Sequence, residues 1–91
     1  MNRQADKAGV DRQAEVEKAV VEALAQVLAV TPDSIDPDAP LNSLPGMESV
    51  KLLRAVVRVE ESCGIAVPDE MLFEAGTARE LAGNIAKSAE G

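Results

Sequence analysis

The chain has no histidine, tryptophan or tyrosine, and a single phenylalanine (Phe73) and a single cysteine (Cys63) among its 91 residues. Without histidine it lacks the usual general base, the commonest metal ligand and one half of any Ser-His or Cys-His pair, so neither catalysis of its own nor a metal site is expected. One cysteine makes no intramolecular disulfide and fits a reducing compartment. With almost no aromatic side chains, a core has to be built from Val, Leu, Ile, Ala and Met. Basic residues are also scarce: 9 Lys and Arg against 16 Asp and Glu leave a net charge of −7. That balance excludes nucleic acid, whose phosphates call for clustered cations, and favours a soluble monomer that meets basic partners. Long hydrophobic runs are missing too. The longest, Ala19 to Val30, is broken by Glu22 and Gln26 and is far too short to span a bilayer. The polar, mixed-charge N-terminus shows no signal-peptide pattern. A cytoplasmic protein without a membrane attachment is expected.

What is present is enough apolar residue, 46% of the chain, for one small domain with a modest core. Residues 1–11 are polar and charge-balanced and are predicted to be a disordered tail, leaving 12–88 as the domain. From Asp11, a plausible cap, Val16, Val20, Ala23, Leu24, Val27 and Leu28 recur at helical spacing. They predict a first helix over about 12–29, ended by Thr31-Pro32. Residues 31–48 contain prolines at 32, 37, 40 and 45 and read as a long ordered loop pinned by Ile35, Leu41 and Leu44. A second helix over Ser49 to Ser62 would bury Val50, Leu52, Leu53, Val56, Val57 and Val59, with Gly64 as its stop. Opposite these, Lys51, Arg54 and Arg58 line up as one basic stripe. Glu60 falls on the apolar arc, tolerable in the last turn. Ile65 and Val67 alternate like a strand but have no second strand to pair with, so residues 64–68 read as a buried connector. Pro68-Asp69-Glu70 opens a short third helix. Thr77-Ala78-Arg79-Glu80 is a capping-box pattern that starts a fourth, with Leu81 and Ile85 inward and Gly83 weakening it.

The organising stretch is Leu44-Pro45-Gly46-Met47-Glu48-Ser49-Val50. Pro-Gly closes the loop, and three residues later a serine stands where the second helix begins. A hydroxyl at that junction lies near the positive end of a helix dipole, a suitable place to carry a phosphate. The plain alternative is that Ser49 is only an N-cap.

Taken together, the residues resemble the acyl carrier proteins, within the broader family of phosphopantetheine-bearing carrier domains. Gly46-Met47-Glu48-Ser49-Val50 is similar to that family's Gly-x-Asp-Ser-Leu attachment motif, and Gly64-Ile65-Ala66-Val67-Pro68-Asp69-Glu70 to its Gly-Ile-x-Ile-Pro-Asp-Glu link. The long first helix, the long loop and the Thr-capped last helix stand in the matching order over roughly Val16 to Lys87. The resemblance implies an all-α four-helix bundle of acyl-carrier type, with a long first loop and a short third helix. It also implies that a phosphopantetheinyl transferase moves 4′-phosphopantetheine from coenzyme A onto Ser49, whose arm then holds acyl or aminoacyl groups as thioesters. The partners implied are that transferase, a loading enzyme, and an acyltransferase or synthase.

Two kinds of departure narrow the subtype. Glu48 and Val50 replace the family's usual aspartate and leucine while keeping charge and apolarity. Carriers of primary fatty acid synthesis present acidic residues along the second helix, whereas Lys51, Arg54 and Arg58 make it basic here, between acidic belts at Asp33, Asp36, Asp38 and Glu48 and at Glu60, Glu61, Asp69, Glu70 and Glu74. Met47, Glu48, Val50, Lys51, Arg54 and Arg58 are the candidate partner-binding residues, the alternative for the stripe being a solvated face. The expected setting is polyketide or hybrid polyketide–peptide metabolism, antibiotic biosynthesis included. The rival readings are a peptidyl carrier of nonribosomal synthesis, whose Gly-Gly-x-Ser motif is missing, and a small helical interaction domain with no prosthetic group.

Overall fold

Helical periodicity interrupted by proline and glycine produces four helices. The computed structural model describes residues 2–90, and their side chains except those of 2–12, 69, 73, 89 and 90. Helix α1 spans Asn2–Leu28, α2 Ser49–Cys63, α3 Asp69–Glu74 and α4 Ala78–Glu90. Short 3-10 turns at Pro32–Ser34 and Leu41–Ser43 punctuate the first loop. No strand forms among the described residues; Pro40 and Thr77 make one isolated antiparallel bridge. The fold is the all-α bundle expected. Its long axis of 44 Å is set by α1, whose 27 residues rise to about 40 Å.

Helix α1 packs along both α2 and α4, and α3 leans on α4. Val16, Val20, Ala23, Leu24 and Ala25 from α1 meet Ala55, Val56 and Val59 from α2 and Ala78, Leu81, Ala82, Ile85 and Ala86 from α4. Alanines at these crossings let the helices approach closely. No buried residue among those described is polar or charged. Ile35, Leu41 and Leu44 are buried, so the expected loop pins hold. The loop is further tied to the start of α4 by Leu41 N–H to the Gly76 carbonyl (2.8 Å) and Arg79 N–H to the Pro37 carbonyl (3.0 Å). The Arg79 guanidinium adds contacts to Asp38 (3.0 Å) and to Glu17 of α1 (3.4 Å).

Three expectations need correction. First, α1 begins at Asn2, not near residue 12: no proline and only Gly9 opposes a helix there. Met1 lies outside the described residues. Second, α1 ends at Leu28, before Thr31-Pro32 can act. Ala29 takes a left-handed φ of 60°, its N–H reaches the Gln26 carbonyl (3.3 Å), and the Val30 N–H reaches Ala25 (2.9 Å), the pairing of a Schellman stop.

The third concerns α2. Val50, Leu53 and Val57 were expected inside and are exposed, while Ala55 is buried with Val56 and Val59. The six residues expected inside cover about half the circumference at ~100° per residue. A helix with α1 on one side buries only the half of them that faces it.

Other boundaries follow the sequence closely. Gly64 (φ 69°) stops α2, its N–H bonding the Glu60 carbonyl at 2.8 Å. Thr77 and Glu80 close the capping box: Thr77 Oγ1 accepts from the Glu80 N–H at 3.1 Å, and Glu80 Oε1 accepts from the N–H groups of Thr77 (3.1 Å) and Gly76 (2.8 Å). Pro68 occupies the cap of α3 and not its first turn.

Candidate functional site

The Pro45-Gly46 pair makes the turn that delivers Ser49. Gly46 has φ 77°, a conformation costly for any residue with a Cβ, and the Met47 N–H closes the turn on the Leu44 carbonyl at 3.1 Å. Leu44 is buried, so the turn is anchored from below. The chain then extends through Glu48 (φ −142°, ψ 156°), which is the N-cap of α2, and Ser49 is its first helical residue. The alternative that Ser49 merely caps the helix fails on this geometry: the cap position belongs to Glu48, whose carbonyl accepts from the N–H groups of Lys51 (2.9 Å) and Leu52 (3.0 Å). The Ser49 hydroxyl is exposed and has no hydrogen-bond partner among the described residues.

Beside Ser49 opens a cleft of about 630 Å³. Met47 and Leu52 form its near wall, Pro40 and Leu41 its floor on the loop side, and Leu72 and Ala75 the wall from α3 and the turn after it. The α3 side, Leu72 and Ala75, is not singled out by the sequence. The N–H groups of Ser49 and Val50 have no backbone acceptor among the described residues. A phosphodiester on Ser49 would therefore meet two free donors, and an extended arm would have a mainly apolar trough to lie against. These residues fit the group that the family carries.

The candidate partner-binding residues are brought together only in part. Met47 is half-buried in the cleft wall, and Glu48 and Val50 are exposed on either side of Ser49. Lys51 leans back on Glu48 at 3.9 Å. Arg58 donates from Nη1 to Gln26 Oε1 of α1 at 2.9 Å, an anchor with no signal in the sequence. Arg54, exposed, makes no ion pair among the described residues. The three cations thus form a ribbon between the α1 contact and the exposed apolar side of α2, two of them held by neighbours. Cys63 is half-buried at the end of α2, away from Ser49. Among the described residues no group of His, Cys, Asp and Glu could hold a metal, and no helix is long and apolar enough to cross a membrane.

A helical bundle that presents one exposed serine at the head of its second long helix has the layout of a carrier domain. Residues 18–85, Ser49 among them, match the family model described as the phosphopantetheine attachment site, and the chain belongs to that family. Its cofactor is 4′-phosphopantetheine, bound covalently. Domains of this family are typically carriers without catalysis of their own, served by a phosphopantetheinyl transferase and by synthases or acyltransferases. No curated protein and no solved structure matches the chain.

Proposed function

We propose that the protein is an acyl or aminoacyl carrier whose arm is attached at Ser49. The observation that carries this is the pairing of an exposed, unengaged hydroxyl at the first residue of α2 with two free N–H donors and an adjoining apolar cleft. When attached, the arm supplies a terminal thiol that holds intermediates as thioesters. The chain's own residues present the hydroxyl and keep it in place. They do not activate it: with no histidine in the chain, deprotonation of the serine falls to the transferase. The carrier unit is residues 12–88, in keeping with a described core that runs from Val16 to Ala86.

The proposed setting is specialised metabolism, polyketide or hybrid polyketide–peptide. Two features support it. The attachment stretch Pro45-Gly46-Met47-Glu48-Ser49 lacks the Gly-Gly-x-Ser motif of peptidyl carriers, and the recognition face of α2 is basic where carriers of fatty acid synthesis are acidic.

Incubation with coenzyme A and a broad-specificity phosphopantetheinyl transferase should raise the intact mass of the wild-type chain by one phosphopantetheine. Ser49→Ala should gain nothing while keeping the wild-type melting curve, because the side chain is exposed and bonds no described neighbour. A modified S49A protein, or an unmodified wild type, would end this reading.

A further inference from the structure

Lys51 stands in the first turn of α2, just past Ser49. Side chains in a helix lean toward its N-terminus, so a lysine placed there reaches back over the cap. Its Nζ lies 3.9 Å from Glu48 Oε2. A Cβ on Gly46 would stand 3.6 Å from the same nitrogen. The ammonium therefore rests over the Pro45-Gly46 turn, beside the carboxylate that directly precedes Ser49. It is also drawn in from solvent: the Lys51 side chain is 31% exposed, whereas Lys18 and Lys87 stand on the open surface.

Glu48 holds this cation loosely. Their contact is at the limit of an ion pair, and the Glu48 side chain is 70% exposed, so the pair alone contributes little. Other cations are remote from Ser49. Arg54 stands almost a full turn further along α2, and Arg58 is turned to Gln26 of α1. In the sequence no basic residue lies between Lys18 and Lys51, while Asp33, Asp36, Asp38 and Glu48 do. A phosphodiester on Ser49 would set a second negative charge next to Glu48, in a chain that already carries −7. Two N–H dipoles soften that repulsion, but a full positive charge offsets it. We propose that Lys51 is the counter-ion of the attached arm, its ammonium pairing with the phosphodiester on Ser49. The proposal rests on Ser49 as the attachment site. Lys51 is then a positioning residue, which fixes the root of the arm at the head of α2. If it served only as a contact for partner enzymes, the isolated chain would not feel its loss any more with the arm than without it.

The test compares the purified full chain before and after modification by a broad-specificity transferase and coenzyme A, each form checked by intact mass. A wild type that gains no arm overturns the Ser49 reading, and this is seen before any comparison is made. Melting curves of both forms are then recorded at low salt for wild type, K51M, E48Q and the double variant E48Q/K51M. Attaching the arm should lower the melting temperature of K51M by about 2–4 °C more than that of wild type, the scale of one charge at a helix end in a chain this size. The same gap should separate E48Q/K51M from E48Q and should close at high salt as the attraction is screened. No gap would overturn the proposal. So would a gap that vanishes without Glu48, because Lys51 would then only mask that carboxylate, or one that survives high salt, because packing would then hold the arm. A second measurement needs no variant and decides alone if K51M resists the transferase. Acetylation of Lys51 in wild type by an amine-reactive ester, read by peptide mass, should be about twofold slower with the arm attached, since an ammonium paired with an anion gives up its proton less readily. Lys18 and Lys87 should react equally in both forms, and high salt should abolish the protection of Lys51. Equal rates at Lys51 at low salt, or protection that persists at high salt, would overturn the pairing.

Discussion

Ala29 shows how a single residue ends the longest helix against its own preference. It holds a left-handed φ of 60° so that its N–H and that of Val30 can satisfy carbonyls at the end of α1. For an L-residue with a Cβ that conformation costs about 1–2 kcal/mol, whereas glycine adopts it freely. Glycine gives part of that back through its greater freedom in the unfolded chain, by about 0.5–1 kcal/mol. Ala29→Gly should therefore stabilise the protein by roughly 0.5–1 kcal/mol and raise the melting temperature by a few degrees. Thermal unfolding followed by the helical circular dichroism signal measures it, since the chain has no tryptophan or tyrosine to report. A lower melting temperature would show that the Ala29 methyl makes contacts worth more than its strain. The site is silent in the sequence because an alanine after a run of helix formers reads as more helix. The proline three residues later attracts the assignment instead.

At the scale of elements, the end of α2 and the connector beyond it are held by Glu60. Its position places it on the apolar arc, where the sequence alone reads it as a tolerated misfit. Its carboxylate Oε2 in fact accepts the Val67 N–H at 2.7 Å, and Val67 is buried. A connector without a strand partner must satisfy its donors elsewhere, and this side chain reaches back over the helix stop to do it. Glu60→Ala should cost about 1–2 kcal/mol, because a part-buried N–H loses a carboxylate acceptor, while Glu60→Gln keeps an acceptor and should cost about 1 kcal/mol or less. Urea unfolding of the two variants separates them, and equal losses would refute the bond's importance. The lesson extends to α2 as a whole. Its start, its stop and its helical character were legible in Ser49, Gly64 and the spacing between them. Which of its apolar residues face inward was not, because both Val56-Val59 and Val50-Leu53-Val57 are apolar and only the placement of α1 chooses between them. The same holds for the site: the hydroxyl was readable from Pro45-Gly46 and the helix onset, but the cleft wall from Leu72 and Ala75 depends on how α3 folds back.

For the whole molecule, the question is whether the 31–48 loop is part of the cooperative unit or a strap laid over it. A loop of eighteen residues in so small a domain would ordinarily open by itself, at little free-energy cost. Here Ile35, Leu41 and Leu44 are buried in the same core as Leu24 and Leu81, and backbone bonds from Leu41 to Gly76 and from Arg79 to Pro37 fasten the loop to the head of α4. Opening it would expose three apolar side chains and break both bonds, a penalty of several kcal/mol by the usual worth of each. That is close to the whole stability expected of a chain this size, about 5–14 kcal/mol. Native-state hydrogen exchange should therefore show the amides of Leu41 and Arg79 exchanging with the same free energy and denaturant dependence as Leu24 and Leu81, in one global unfolding event. If they exchanged through a local opening several kcal/mol cheaper, the loop would be an independent strap. The consequence for function is direct, because Leu44 anchors the turn that aims Ser49. A loop that opens only with the global fold holds that hydroxyl in one position before any enzyme arrives, so the cost of ordering it is met in folding and not in each encounter.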